Sequence, residues 1–360
     1  MSTGLRVALV APSYDCVPSS IDDPVGNGIR ALADVLVARG HAVLVCAPLP
    51  SHSDARVVGT VMHSRDGTHV DQTLAHLTRA ASAIARFKPD VTHDFSGLIG
   101  LLAQSRLNRA TLVVTVAEPM PTMRAELLRS LADVSDEPRP VFVAQTPWVS
   151  QRVSGLPWRA IIEPAVSVRD VVFKATKQPF AVYVGPLTAQ SGLLRAVQAA
   201  AHMHLPLRVS RRFARPDEDA YLANHLAHIG AEVEVVQSPS AQSQRDVIAN
   251  ARMLITTSQA RDRAPHVVVR ALASGTPVLV VADGNEHSQT HALPGAVWTS
   301  NVAELGPQIA LELAAADPYE CRRVAAVTLG PEVTATAYEA IYRSETAPNV
   351  VDLRTSVARK

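Results

Sequence analysis

Short, continuously apolar runs alternate along this chain with stretches whose apolar residues recur at helical spacing. That alternation constrains the fold more than any single motif. Residues 7–11 (VALVA) stop at Pro12 and read as a strand buried on both faces. A polar, Pro-containing loop leads into GNGIRALADVLVARG, where Ile29, Leu32, Ala33, Leu36 and Val37 fall on one helical face and Gly40 stands where a C-cap belongs. Residues 41–46 (HAVLVC) read as the next buried strand. The pattern continues with a helix near 70–87, a strand at 90–93, a helix near 97–105, a strand at 111–116 (TLVVTV), a helix near 121–132 and strands at 140–144 and 159–162. Strands alternating with helices at this rhythm imply parallel βαβ units.

The rhythm breaks over residues 165–179, which read as a linker, and restarts at 180–184 (FAVYV). Helices at 191–203, 217–229, 242–251 and 265–274 then interleave with strands at 206–210, 232–236, 252–256 and 277–281, and C-terminal helices cover 302–343. The fold class is α/β: two tandem Rossmann-like, doubly wound domains with a cleft between them. The divisions are an N-terminal Rossmann-like domain over 1–164, a linker over 165–179 and a C-terminal Rossmann-like domain over 180–330. A C-terminal helix over 331–347 packs back on the N-terminal domain, and a flexible tail covers 348–360. The 360 residues suit this division at about 150 residues per domain.

Composition removes several function classes. The 34 Lys+Arg against 33 Asp+Glu leave a net charge of +1, with no broad electrostatic case for nucleic acid or anionic membrane. Cys16, Cys46 and Cys321 lie far apart with no CxxC or Cys/His metal spacing, so neither a disulfide framework nor a structural zinc site is expected. The first residues lack the charged start and long apolar core of a signal peptide, and ALASGTPVLVVA is too short to span a bilayer. The expectation is a cytoplasmic protein without an integral membrane segment.

Taken in order, these segments resemble the glycosyltransferases of the GT-B fold, most closely the retaining family 4. RVALVAPSYD followed by VGNGIRALADVLVARGHAVLVCAP is similar to that family's opening strand, Gly-rich loop and first helix. FKPDVTHDFSGLIG, VFVAQTPWV and IIEPAVSV resemble its later N-terminal strands. FAVYVGPLTAQSG resembles the first strand and phosphate loop of its second domain, and RAPHVVVRALASGTPVLV the helix that carries its E-x7-E signature. The resemblance covers about residues 5–343. It implies sugar transfer from a nucleotide-diphosphate sugar to a small acceptor, in a bacterial biosynthetic pathway, with no cofactor or metal. A homo-oligomer or partner subunit is compatible with it.

The positions that carry the family's chemistry depart from its pattern. The Arg and Lys that grip the donor diphosphate fall on Pro186 and Ser191, and the E-x7-E pair on Asp262 and Arg270. An Arg has no acceptor for a ribose diol. The family's His falls on Ala117, followed by Glu118. Compensation is available from arginines. Arg208, Arg211, Arg212 and Arg215 flank the end of the strand PLRVS, and Arg261 and Arg263 precede a helix beginning near Pro265, whose free N–H groups favour an anion.

The resemblance makes the N-terminal domain the acceptor side and the C-terminal domain the nucleotide-donor side, so the candidate binding residues are Gly26, Asn27 and Gly28 in the first and Gly185, Arg211, Arg212, Arg263, Pro265, His266 and Arg270 in the second. The candidate catalytic residues are Glu118, His93 and Asp262. Gly26-Asn27-Gly28 read as a loop between the first strand and its helix, where backbone amides can approach a phosphate or sugar. His93 and Asp94, at the end of a strand, should face the cleft. Glu163 reads as a hinge ion pair. Two alternatives stay open: a catalytically inactive subunit of this fold that supports a partner, and an atypical transferase with an unusual donor. A dehydrogenase fits less well, because the third glycine of G-x-G-x-x-G is missing.

Overall fold

A computed structural model describes the whole chain except residues 1–3, 20–23, 64–69, 108–109, 118–125, 128, 131–138, 154, 186, 212–215, 227–231, 239, 258–263, 283–292 and 348–360. Seven parallel strands form the first sheet: β1 (Arg6–Val10), β2 (Ala42–Leu49), β3 (Arg56–Met62), β4 (Val91–Asp94), β5 (Thr111–Val116), β6 (Val141–Ala144) and β7 (Trp158–Ile161). They stand in the order β3-β2-β1-β4-β5-β6-β7. The second sheet contains β8 (Gln178–Val184), β9 (Leu207–Arg211), β10 (Val233–Gln237), β11 (Ala251–Thr257), β12 (Val278–Val281) and β13 (Ala296–Thr299). Its order, β10-β9-β8-β11-β12-β13, repeats the first. The α/β class with two doubly wound sheets is thus what the structure shows.

Each apolar run forms a strand because helices cover it on both faces. Val7 and Leu9 point into a core shared with α1 (Pro24–Ala38), while Ala8 and Val10 point into one shared with α2 (Val70–Phe87). The second sheet does the same. Ala181 and Tyr183 pack against α5 (Leu193–His202), whereas Phe180 and Val182 pack toward α8 (Ala264–Ala273) and α10 (Pro318–Leu329). Full burial of one such aliphatic side chain stabilises by about 1.5–3 kcal/mol. The other helices of the described residues are α3 (Leu98–Leu107), α4 (Pro147–Arg152), α6 (Pro216–Leu226), α7 (Ala241–Asn250), α9 (Pro307–Ala314) and α11 (Pro331–Thr346).

Two strands carry no sequence signal. β3 and β13 are sheet edges that bury little, and β3 contains Gly59, whose missing side chain leaves room for Leu49. One expected boundary also moves. Gly26-Asn27-Gly28 lie inside α1, which begins at Pro24, and not in the loop before it. The expected helix over 121–132 falls largely outside the described residues, and the tail over 348–360 falls wholly outside them.

The chain returns to the first sheet at its end. Ala335, Tyr338, Ile341 and Tyr342 of α11 sit in the same core as Ile29, Leu32 and Leu36 of α1. Charges reinforce this packing. Arg39 donates to Glu339 at 2.8 Å and to Glu332 at 2.6 Å, and Arg343 donates to Glu339 at 2.7 Å. The two chain crossings between the sheets are themselves joined, since the Val166 N–H donates to the Leu329 carbonyl at 2.7 Å.

Candidate functional site

In both sheets the strand that comes first in the chain lies between neighbours reached by opposite crossovers, and doubly wound sheets take ligands at the carboxyl ends of the strands at that point. In the second sheet this crevice lies at β8 and β11. The chain leaves β8 through Gly185 and Leu187 into a 3-10 turn, Ala189–Ser191, and Gly192 follows at φ 72° before α5.

This loop satisfies much of its own hydrogen bonding. The Thr188 N–H donates to Ser191 Oγ at 3.3 Å, and Ser191 Oγ donates to the Thr188 carbonyl at 2.7 Å. The Ser191 carbonyl accepts from Tyr183 Oη at 3.2 Å and from Thr257 Oγ1 at 2.5 Å. Ser191, where the resemblance implies a cationic grip, is therefore a buried structural residue. Burial pushes the Tyr183 hydroxyl up to about 12; the hydrogen bonds with Ser191 and Thr257 oppose this, and the charges of Tyr221 and Glu218 add to it. Gly185 is needed here, because a Cβ would stand 2.8 Å from Tyr183 Oη.

Arg211 ends β9, but its guanidinium is used inside the domain. It pairs with Asp219, and Nε and Nη2 donate to the Gln237 amide oxygen at 2.9 and 3.0 Å when that amide is turned to face them. It is not the free phosphate grip that the sequence suggested. Glu218, unmarked by any sequence motif, is only 8% exposed, and its Oε1 accepts from the Leu187 N–H at 3.3 Å.

Beyond β11, α8 begins at Ala264 with Pro265 in its first turn. His266 is buried and Arg270 half-buried. Standing four residues apart, they share one helix face. Arg212, Arg263, Asp262 and Glu118 lie outside the described residues, as does Pro186.

The first sheet's crevice lies at β1 and β4. His93, expected to meet a ligand there, is 0% exposed. Its Nδ1 is 2.6 Å from Tyr342 Oη and its Nε2 is 2.6 Å from Thr115 Oγ1, while Tyr338 Oη is 3.1 Å from the same threonine hydroxyl. Burial pushes the imidazole down to about 3, so it stays neutral. A ring sealed beneath α11 with both nitrogens engaged does not exchange protons with a bound substrate. The catalytic assignment of His93 is corrected to a structural one.

Asp94, its neighbour, accepts from the Ser96 N–H at 2.9 Å and from Ser96 Oγ at 2.9 Å. Burial pushes its carboxyl up to about 7 against the hydrogen bonds of Ser96 and Gly97. A Cβ on Gly100 would stand 2.3 Å from Asp94 Oδ1, so the carboxyl lies on the first turn of α3, a favourable place for negative charge.

The described part of the β1–α1 loop packs on the first turn of α1. Asn27 Oδ1 accepts from the Ser19 N–H at 3.2 Å, and a Cβ at Gly26 would stand 2.7 Å from the Cys16 carbonyl. Gly26 is therefore small for loop-on-helix packing. Gly28 faces Pro164 of the first crossing, where a Cβ would make ordinary contact at 3.5 Å.

Glu163 on that same crossing is the clearest departure from a charge-pair expectation. It is 2% exposed, and among the described residues neither carboxyl oxygen has a hydrogen-bond partner. Burial alone pushes it up to about 7. Among the described residues it makes no hinge ion pair.

No protein-family model and no curated protein matches the chain. Solved structures do match over nearly its whole length. AviGT4, a glycosyltransferase involved in avilamycin A biosynthesis, is 20% identical, with 96% of this chain and 98% of that one covered and a TM-score of 0.69. Anabaena Alr3699/HepE, in complex with UDP and glucose, is 14% identical over 94% of this chain and 100% of its own, with a TM-score of 0.65. The UDP-GlcNAc 2-epimerase of Methanocaldococcus jannaschii is 12% identical over 94% and 100%, with a TM-score of 0.53. The chain is an α/β protein of the GT-B architecture, a fold these neighbours use for sugar transfer and for sugar epimerisation. Among the described residues, no helix is long and apolar enough to cross a membrane.

Proposed function

We propose that this protein transfers a sugar from a nucleotide-diphosphate sugar, held at the carboxyl ends of β8 and β11, to a small acceptor held by the first sheet. The observation that carries the reading is the end-to-end likeness to HepE, seen with UDP and glucose and with UDP-glucose, joined to a second sheet in which β8 leads through Gly185 and a tight 3-10 turn, Ala189–Ser191, to the start of α5. In a retaining transferase no protein nucleophile is required. Positioning of the acceptor and stabilisation of the departing diphosphate supply most of the rate.

Arg212 and Arg263 are the residues we assign to that charge, with Arg270 and His266 on α8 beside the ribose and sugar, and Gly185 giving the diphosphate close approach. Glu118 and Asp262 are assigned to the acceptor proton and a sugar hydroxyl. The reaction is placed in a bacterial biosynthetic pathway and needs no metal in this scheme.

The test is a thermal-shift series of the whole chain with UDP, GDP, ADP, dTDP and their sugar conjugates. A ligand at 100 times its dissociation constant adds about 2.7 kcal/mol, a rise of a few degrees. One nucleotide should give that rise and lose it in Arg263→Ala. The absence of a rise with every compound contradicts the proposal.

A second reading is supported by a specific observation. Ser191 and Arg211, two positions expected to meet the diphosphate, are bonded within the domain. That arrangement suits a non-catalytic subunit that has kept the fold and lost the donor, and it predicts no shift in the same series.

A further inference from the structure

We propose that Glu218 and Asp219, in the first turn of α6, are an internal stand-in for the donor diphosphate and set how tightly the protein binds it. This rests on the donor site proposed above. Glu218 reaches across 31 residues of sequence to accept from the N–H of Leu187, within the loop that would cradle the phosphates. The next residue, Asp219, pairs with Arg211 at the end of β9. One helical turn thus places a carboxylate on a backbone donor of the phosphate loop and another on the guanidinium beside it.

A helix start by itself favours acidic residues, and that would account for their presence in this turn. It does not account for the burial of Glu218 or for its bond to a loop on a different strand connection. Both contacts are those an anion would make. A diphosphate brings at least two negative charges and needs the same donors, and like charges at contact distance repel, most strongly at the buried Glu218 and less at Asp219, whose side chain is half exposed. Bound diphosphate must therefore displace Glu218 from Leu187 and Asp219 from Arg211. The effect falls on the phosphates alone, because a nucleoside or a free sugar carries no charge to compete.

The test titrates inorganic pyrophosphate by calorimetry into the whole chain and into the Glu218→Gln and Asp219→Asn variants, with UDP, GDP, ADP and dTDP as further arms. Gln and Asn each keep an amide oxygen that can accept the same hydrogen bond and remove only the charge. The melting temperature of each variant without ligand separates folding from binding. Glu218→Gln should bind pyrophosphate at least tenfold more tightly than the unaltered chain, and Asp219→Asn should also bind it more tightly. Equal or weaker binding by both variants overturns the proposal, and so does an absence of pyrophosphate binding in all three proteins. If pyrophosphate binding tightens while no nucleoside diphosphate binds, the stand-in is upheld as an anion-site device and the nucleotide-sugar reading falls.

Discussion

Replacing Tyr342 by Ala is expected to cost about 4 kcal/mol, the range for removing a fully buried aromatic ring without refilling its place. The side chain is 0% exposed and lies among residues of the first sheet's core although it belongs to the last helix of the chain. Its ring stacks on Tyr338 at 6.2 Å, and its hydroxyl meets His93 Nδ1 at 2.6 Å. Tyr342→Phe should cost less, about 1–2 kcal/mol, because it keeps the packing and leaves one buried imidazole nitrogen unbonded. Urea unfolding of both variants measures the two terms. A loss below 1 kcal/mol for Tyr342→Ala would show that α11 is not anchored in this core.

Glu163→Gln is expected to act in the opposite direction, with a gain that grows from pH 4.5 to about 7 and holds above it. The carboxyl titrates at 4.5 in an unfolded chain and at about 7 in the fold, where burial opposes its charge. The fold therefore holds the proton more tightly than the unfolded chain does. Stability is present in full below pH 4.5 and is lost as the pH rises toward 7. The step from 4.5 to about 7 corresponds to about 3 kcal/mol, which Gln, unable to ionise, does not lose. At pH 8 the variant should be more stable by about that amount, and at pH 4 the two proteins should be alike. Equal urea midpoints at pH 8 would mean that the carboxylate finds a partner or water in solution.

Strands such as β1, β5 and β8 were legible because burial on both faces leaves a continuous apolar run, and α1 and α2 because one buried face repeats every three to four residues. The edge strands β3 and β13 were not, since a half-covered strand can be half polar. The site was less legible than the fold. A His at the end of a strand looks the same whether it faces a cleft or lies beneath a helix arriving from 249 residues away, as His93 does under Tyr342. Arg211 looked available because its partners, Asp219 and Gln237, belong to other elements. Glu218 carries no sequence signal for a related reason. An acid in the first turn of a helix is ordinary, and only the folded chain brings it to Leu187.

The most direct measurement is a crystal structure of the whole chain with the nucleoside diphosphate that raises its melting temperature most. The expected result is a diphosphate beside Gly185 and Leu187, at the carboxyl ends of β8 and β11, with the Glu218 carboxylate turned away from the Leu187 N–H. A nucleotide bound elsewhere, or a Glu218 still accepting from the Leu187 N–H at saturating ligand, would contradict donor binding at this site.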